Sequence, residues 1–288
     1  MNATSAPANP LSLVFKVLLL VGGAFAIYYS YQALFASELS SITFVTDVMA
    51  ANMSKPLTFP RAKLPRLYEG GEFAMSGWIY VNNWTGTRAN YNKEVLSIGN
   101  HSAAGGKITL GIYLDSTQNM LHVKTSNVAD CSPGTGSAAA TGNSCLTYAT
   151  YNALFTSPSI GTVGNLGNMT GGDCSVTPFE LQKWVHFAVV LNGKTVDVYL
   201  DGKLARSCVN NGIFAVDAAT GDVTLQICSN GGFGGYVAGI KGYDFALNPE
   251  QVYRSYMAGP MSDVPLSDYL KSLFDPKAIG TLEYPKMN

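Results

Sequence analysis

Charged side chains are scarce in this sequence. Asp, Glu, Lys and Arg make up 13% of its 288 residues, and the formal net charge is −1. That share is about half of what an average soluble domain carries. The chain has neither the basic surplus that indicates nucleic-acid binding nor a run of acidic residues. Its many small polar residues favour a surface that faces the outside of a cell, a lumen or a packed assembly.

Motifs for metal binding and for hydrolysis are also missing. No CxxC pair and no His/Cys cluster occurs, which argues against a zinc site. Glycoside hydrolysis needs two carboxyl groups held about 5–10 Å apart. The sequence shows no constellation of acidic residues that would supply them. We therefore expect no enzyme activity, no catalytic residue, no bound metal and no other cofactor.

A long apolar run, Leu11 to Ala36, stands near the start of the chain. A helix needs about 20 apolar residues to cross the hydrocarbon core of a membrane, and this run is long enough. Lys16 is its only charge and lies near its beginning, where its side chain can reach the interface. The run predicts a transmembrane helix over residues 11–36 that contacts membrane lipid, after a polar tail over residues 1–10.

Two other interpretations of this run stay open: a cleaved signal peptide ending near Ala24-Phe25-Ala26, and a buried core helix. If the run crosses a membrane, the flanking charges set its orientation, because positive charge favours the cytoplasmic side. Lys16 lies at the start of the run, whereas Glu38 and Asp47 follow it. We expect a single-pass membrane protein with its N-terminus on the cytoplasmic side and its bulk on the lumenal or extracellular side.

Residues 37–71 are expected to connect this helix to the rest of the chain. Apolar residues recur at helical spacing from Leu39 to Met49, which predicts a stalk that continues the helix. Pro56, Pro60 and Pro65 follow. Because proline disrupts regular structure, residues 55–71 are predicted to form an extended linker.

From residue 72 the apolar pattern changes to short runs separated by turn residues. This pattern predicts an all-β antiparallel sandwich rather than βαβ units. The clearest hairpin covers residues 184–204, with turns at Asn192-Gly193 and Asp201-Gly202. Asn248-Pro249-Glu250 predicts the start of a short helix that ends near Gly259. Further strands are predicted at 73–81, 94–98, 108–114, 120–124, 223–228 and 235–245.

Two segments are expected to contact other protein subunits. The first, residues 127–173, is rich in small polar residues and longer than an ordinary loop in a compact domain. Its Cys131 and Cys145 either form a local disulfide or remain small buried thiols, depending on the compartment. The second segment, the C-terminal extension over residues 261–288, has one weak helix at 267–274 and no evident core of its own.

Three separated stretches together resemble the concanavalin A-like, laminin-G-like jelly-roll superfamily. They are FAMSGWIYV (73–81), the hairpin WVHFAVVLNG…VYLDG, and GYVAGIKGYDFALNPEQVYRSYMAG (235–259). The three stretches occur in the same order and at similar spacing as in that superfamily, and the resemblance covers residues 67–260. The resemblance implies two antiparallel sheets packed face to face over residues 72–260, with the tryptophan and tyrosine residues largely in the core.

The resemblance also implies how such a domain binds its ligands. Domains of this kind often bind glycans or proteins at the rim of the sandwich, commonly through calcium. Here Ala238-Gly239 stands where many relatives carry an acidic pair, so calcium is only weakly supported. Membrane-tethered jelly rolls also resemble minor capsid proteins of large DNA viruses. The internal membrane and capsid of a virion is therefore the alternative location.

Few single residues are candidates for contact or modification. Asn83 and Trp84 follow the first core strand, where Trp84 is either an exposed ring for a glycan or partner, or a buried one. His186 lies inside a predicted strand and is expected to be a structural imidazole. Glycosylation sequons are the remaining candidates, at Asn52, Asn83, Asn100 and Asn168.

Two functions therefore stay open. The first is a non-catalytic, membrane-anchored β-sandwich with a structural or interaction role in a larger assembly, such as a membrane-linked minor capsid or complex subunit. The second is a glycan-binding, lectin-like module at a cell surface or in a lumen. No nucleic-acid partner is expected for either.

Overall fold

The computed structural model describes residues 10–35, 41–65, 71–84, 88–103, 105–127, 146–156, 158, 174–210, 212–214, 216 and 223–260. The chain divides into two units, Met1–Ser40 and Ser41–Asn288. The predicted N-terminal tail, the candidate disulfide pair Cys131 and Cys145, the sequon at Asn168 and the C-terminal extension lie outside the described residues.

The described residues of the first unit form the helix α1, over Pro10–Phe35. These bounds are close to those predicted. The described side chains of α1 cover residues 14–27 and 30, and they are exposed. Across the residues that the structure describes, no helix is both long and apolar enough to cross a membrane. The helix is therefore present, but the transmembrane span predicted over residues 11–36 is not confirmed.

The second unit is built from two antiparallel sheets, and the predicted all-β sandwich is confirmed. Its described strands are β1 (Ser41–Val45), β2 (Met49–Ala50), β3 (Leu57–Pro60), β4 (Glu72–Asn83), β5 (Lys93–Asn100), β6 (Ile108–Leu114), β7 (Leu121–Thr125), β8 (Trp184–Asn192), β9 (Thr195–Leu200), β10 (Lys203–Val209), β11 (Val223–Ile227) and β12 (Gly234–Tyr243). Sheet A has the order β1-β12-β4-β8-β9-β10, with β2 also paired to β12. Sheet B has the order β3-β11-β5-β6-β7.

The core lies between the two sheets because side chains alternate along each strand. In β8 the inward residues Val185, Phe187, Val189 and Leu191 are almost completely buried. They form one cluster with inward residues of sheet B, such as Leu96. Burying a side chain of this size stabilises the fold by about 1.5–3 kcal/mol. The alternate residues of the same strands point to the outer faces, where the polar clusters lie.

The central hairpins follow their turn chemistry. Asp201 (φ 47°) and Gly202 (φ 74°) both have positive φ, as the two-residue turn between β9 and β10 requires. In the preceding hairpin, Asn192 pairs with Thr195, so Gly193 and Lys194 occupy the turn, with Gly193 at φ 58°. The predicted hairpins are confirmed, with the first turn one residue later than expected.

The helical stalk predicted between Leu39 and Met49 is wrong. Residues 41–45 and 49–50 instead form β1 and β2, which pair with β12 at the edge of sheet A. The β-branched residues of β1 suit a strand, and the free edge of β12 supplies the hydrogen-bonding partners. The spacing of apolar residues within this stretch cannot predict pairing with a strand that lies far along the chain.

The extended linker predicted over residues 55–71 is also only partly correct. Leu57–Pro60 is β3, an edge strand of sheet B paired with β11, and Arg61–Lys63 is one turn of 3-10 helix. Pro60 ends β3 opposite Thr224. An edge strand tolerates proline because one side of its backbone has no ladder partner.

Two of the helices that the structure describes lie on the outer faces of the sandwich. Helix α2 (Tyr148–Thr156) lies over sheet B and falls within the segment predicted to be a long loop. Tyr151 of α2 packs onto Gly111, where an added Cβ would come within 2.4 Å of its ring. Helix α3 (Pro249–Ala258) lies over sheet A and begins at the predicted N-cap, Asn248.

A disulfide joins the two sheets at one side of the sandwich. Cys174 and Cys208 are bonded, with their Cα atoms 5.8 Å apart. Cys208 belongs to β10, the edge of sheet A, and the amide of Cys174 donates to the carbonyl of Val123 in β7, the edge of sheet B. Cys228 is a buried free thiol. The cysteine count alone did not identify this pairing.

Candidate functional site

The outer face of sheet A carries a histidine that α3 covers. The ring of His186 contacts that of Trp78 edge-on, with centroids 5.1 Å apart, and Tyr256 of α3 stacks on Trp78 at 5.8 Å. The Nε2 atom of His186 lies 3.2 Å from Ser255 Oγ. Burial lowers the pKa of His186 to about 4, so the ring is neutral at pH 7. His186 is the structural imidazole that was predicted.

The outer face of sheet B carries a buried acid beneath α2. Asn230 donates to Glu94 Oε2 at 2.7 Å, and the Ser229 hydroxyl donates to the same oxygen. The Tyr151 hydroxyl donates to Oε1 at 3.3 Å. Burial raises the pKa of Glu94 and outweighs these hydrogen bonds, which favour the ionised form. The carboxyl group is enclosed by its partners and holds α2 on the sheet.

The C-terminal end of α2 is fixed by two side chains of the segment before β5. Arg88 Nη2 donates to the carbonyl of Phe155 at 2.7 Å, and Asn92 Nδ2 donates to that of Leu154 at 3.0 Å. The last carbonyls of a helix have no partner within it, and a cation there is favoured by the helix dipole. These contacts explain why a helix forms in a segment without strong helix signals.

Lys93 and Trp84 form a closed pair rather than an exposed site. Lys93 Nζ donates to the carbonyls of Tyr91, Asp115 and Ser116, at 3.0, 3.1 and 3.3 Å. It also lies 4.8 Å from the centroid of the Trp84 ring. Burial lowers the pKa of Lys93 to about 8. Because the lysine occupies one face of Trp84 and the ring packs on the core, Trp84 is not a free platform.

An Asp–His–Ser hydrogen-bond chain runs along the edge of sheet B. His122 Nε2 lies 3.1 Å from Asp115 Oδ2, and its Nδ1 lies 2.7 Å from Ser175 Oγ. An ionised carboxylate only accepts hydrogen bonds, so Nε2 donates to Asp115, while Nδ1 is hydrogen-bonded to the serine hydroxyl. Tyr113 stacks on the imidazole at 4.7 Å.

Asp, His and Ser are also the residue types of the catalytic triad in many hydrolases, but the contacts of this cluster are those of a structural hydrogen-bond network. Burial acts to raise the pKa of Asp115, yet hydrogen bonds from His122 and the amides of Thr117 and Gln118 hold it well below its usual range. Ser175 is 9% exposed and follows the bonded Cys174. The cluster thus fastens the segment around residue 175 to sheet B. Sequence reasoning missed it, because His122 and Ser175 lie 53 positions apart.

A row of three aromatic rings lies on the outer face of sheet A, next to the region covered by α3. Tyr80 of β4 is directly opposite Tyr236 of β12 on one side and Trp184 of β8 on the other. The ring centroids are 6.2 Å and 5.6 Å from that of Tyr80. All three residues are partly exposed. We call Tyr236, Tyr80 and Trp184 the aromatic row.

Apolar side chains are also exposed where β10 and α3 meet. Leu204 is 54% exposed on β10, and Tyr253 and Met257 are 50% and 63% exposed on α3. Val209 at the end of β10 is 76% exposed. Large exposed apolar side chains that lie close together are typical of contact surfaces.

The sequence-predicted candidates do not come together into one site. Asn83 is exposed at the end of β4, next to the partly buried Trp84. Asn52 is exposed, whereas Asn100 is 3% exposed and its Oδ1 accepts from the amide of Ser102. The folded chain therefore does not present Asn100 for glycosylation. Across the described parts of the chain, no group of three His, Cys, Asp or Glu residues is arranged to hold a metal ion.

Comparison with known proteins supports the fold. Residues 132–253 match the family model Laminin_G_3, described as the concanavalin A-like lectin/glucanases superfamily. The fold is a concanavalin A-like jelly-roll sandwich. A search of curated proteins finds no match to this chain.

Several solved structures are similar to this chain at low identity. They include a Trypanosoma rangeli sialidase in complex with 2,3-difluorosialic acid (TM-score 0.41, 12% identity, 67% of this chain and 24% of that chain). A SAP-like pentraxin from Limulus polyphemus gives a TM-score of 0.42 at 12% identity, over 75% of this chain and 83% of that chain. A putative carbohydrate binding protein from Bacteroides ovatus gives a TM-score of 0.40 at 9% identity, over 75% of this chain and 46% of that chain. This chain spans about a quarter of the sialidase, and similarity at this level assigns no ligand or activity to it.

Proposed function

We propose that this chain is a non-catalytic interaction module that is held at a membrane through α1 and works by surface contact within a larger assembly. A membrane-linked minor capsid or a membrane complex is an assembly of this kind. The contact segments of the proposal are residues 127–173 and 261–288, together with the apolar surface where β10 and α3 meet. Nucleic acid is not among the proposed partners.

The observation that carries this proposal is the contrast between enclosed polar groups and exposed apolar ones. Glu94 and the Asp115–His122–Ser175 cluster have hydrogen-bond partners within the fold, and His186 is buried beneath α3. The apolar side chains of α1, by contrast, are exposed, with Leu20 at 76% and Ile27 at 74%. Exposed apolar surface is stabilised by removal from water, in lipid or against another chain.

Membrane association is tested by flotation with phosphatidylcholine vesicles. The full chain is expected to float with the vesicles, and a variant without residues 11–36 is expected to remain in the dense fractions. A chain with Leu18, Leu19 and Leu20 changed to Gln keeps the length of α1 and is expected to float less. Flotation of the truncated chain to the same extent as the full chain contradicts membrane association through α1.

The assembly role is tested by crosslinking in the native source, followed by mass spectrometry of the linked peptides. Crosslinks from residues 127–173 or 261–288 to other chains are the expected result. Recovery of an uncrosslinked monomer contradicts a role in an assembly.

A second candidate function, glycan binding, is supported by the aromatic row. Partly exposed tyrosine and tryptophan rings provide an apolar face together with a polar group, the combination that a sugar ring contacts. In that function the sandwich is a lectin-like module at a cell surface or in a lumen, with no calcium needed at the row.

A further inference from the structure

We propose that the aromatic row binds a neutral oligosaccharide whose consecutive sugar rings are inclined to one another. The proposal rests on the second candidate function, glycan binding, and names its site and its class of ligand. Tyr236, Tyr80 and Trp184 supply the contact surface.

The chemistry of the row matches the face of a sugar ring. The face of an aromatic ring carries negative charge density, and the C–H groups on the face of a pyranose are weakly positive. Tyr80 and Tyr236 add hydroxyl groups that donate and accept hydrogen bonds. The row therefore provides contacts for both the apolar face and the hydroxyl edge of a sugar.

The row is held in place before any ligand arrives. Its residues lie on β12, β4 and β8, three neighbouring strands within sheet A, and their register places the three rings side by side. The rings are partly buried, which limits their motion. A platform of this kind loses little conformational entropy on binding, so more of the contact energy remains as affinity.

The position of the row argues against an added peptide strand. Strands β12, β4 and β8 are each paired on both sides. Their main-chain groups are already hydrogen-bonded, so a peptide cannot extend the sheet at this position. Recognition at the row is left to side chains that stand on the face of the sheet.

The surroundings of the row favour a neutral ligand. Lys183 precedes Trp184 but pairs with Glu180 and, at 3.2 Å, with Asp201. Asn82 lies two residues beyond Tyr80 on β4 and is exposed. Its amide can both donate to and accept from sugar hydroxyls. Among the described residues, the cation that adjoins Trp184 in sequence, Lys183, is already paired, so it offers an anionic sugar no free charge.

The inclination of the aromatic rings to one another determines which shape of oligosaccharide fits the row. The ring plane of Tyr80 is inclined by 56° to that of Trp184 and by 52° to that of Tyr236. A flat ribbon, such as a β-1,4-linked glucan, cannot lie on all three rings at once. Chains whose sugar planes turn from one unit to the next, such as α-1,4- or β-1,3-linked glucans, follow the row.

The test measures binding of maltohexaose and laminarihexaose to the full chain by isothermal titration calorimetry, in a zwitterionic detergent without sugar headgroups. Saturable binding of at least one is expected, with cellohexaose clearly weaker. Trp184→Ala is expected to weaken binding about tenfold, since a lost ring contact of about 1.4 kcal/mol corresponds to that factor. Tyr80→Phe retains the ring and is expected to retain most of the affinity.

Tyr148→Ala is the matched control, because it removes a partly exposed tyrosine of α2, over sheet B and outside the row, and it is expected to leave binding unchanged. Thermal unfolding of each variant shows whether a loss of binding reflects a loss of fold. Absence of binding to both flexible glucans, equal binding of cellohexaose, or unchanged binding by Trp184→Ala overturns the proposal. Flotation of the same preparations with vesicles reports separately on the membrane-associated function, which stands or falls independently.

Discussion

At the scale of single residues, burial decides the protonation of the main acid on sheet B. Glu94 is 1% exposed, and its pKa is raised because water is excluded from the carboxyl group. The folded chain therefore holds a proton on Glu94 at pH values where the unfolded chain has released it. Stability is then lost as the pH rises from the unfolded pKa through the raised folded pKa.

This linkage predicts the behaviour of Glu94→Gln. The amide is neutral at every pH, its oxygen can accept from Asn230 and Ser229, and its NH2 can donate to Tyr151. Above the raised pKa we expect the variant to be more stable than the natural chain, by on the order of 1 kcal/mol, because no buried charge remains. Urea unfolding from pH 4 to pH 9 measures the difference, which shrinks towards pH 4.

Glu250→Gln is the control for this comparison. Glu250 lies in the first turn of α3 and is paired with Arg254, where both side chains are largely exposed. An exposed pair of this kind contributes little, so its removal is expected to change stability by less than about 1 kcal/mol. A Glu94→Gln variant whose stability follows the same pH curve as the natural chain contradicts the buried-acid assignment.

At the scale of elements, sequence patterns predicted correctly those elements that are stabilised by residues close to them in sequence. Asn248 accepts from the amide of Gln251 and Gln251 reaches back to the amide of Asn248, so the start of α3 is fixed by residues three apart. Helix α2 was missed because Arg88 and Asn92, more than 60 positions earlier, complete its final turn. Strands β1 to β3 were missed for the same kind of reason, since their partners β12 and β11 lie far along the chain.

The cap of α3 gives a prediction at this scale. Asn248→Ala removes the acceptor for the Gln251 amide and is expected to cost about 1 kcal/mol of stability. Asn248→Asp keeps that acceptor and is the matched control. Thermal unfolding of both variants separates the lost hydrogen bond from the change of side-chain size, and equal melting temperatures for the two variants contradict the role of the cap.

At the scale of the whole molecule, the disulfide fastens the edges of the two sheets. Cys174 and Cys208 are 34 positions apart, a separation for which loss of the bond is expected to cost about 3–4 kcal/mol. The double variant Cys174→Ser, Cys208→Ser should therefore unfold at a markedly lower urea concentration. The natural chain treated with a reducing agent should match it, and identical unfolding of the oxidised and reduced chains contradicts this contribution.

The candidate site shows where sequence reasoning stops at this scale. The resemblance to jelly-roll domains implies tryptophans and tyrosines largely in the core, whereas Tyr80 and Trp184 are partly exposed on the outer face of sheet A. That they stand beside Tyr236 depends on the order of β12, β4 and β8, which joins residues more than 150 positions apart. Composition and spacing do not encode that order, so the aromatic row follows only from the assembled sheet.

Both ends of the segment between β7 and β8 are secured to the sandwich. Asn127 bridges to Phe214 at one end, and the bonded Cys174 lies against Val123 at the other. The contacts at these two ends lie outside residues 128–145 and 159–173, and they fix where the segment leaves and rejoins the sandwich. The framework of the two sheets is thus closed on both sides of the segment by contacts that the sequence between them does not supply.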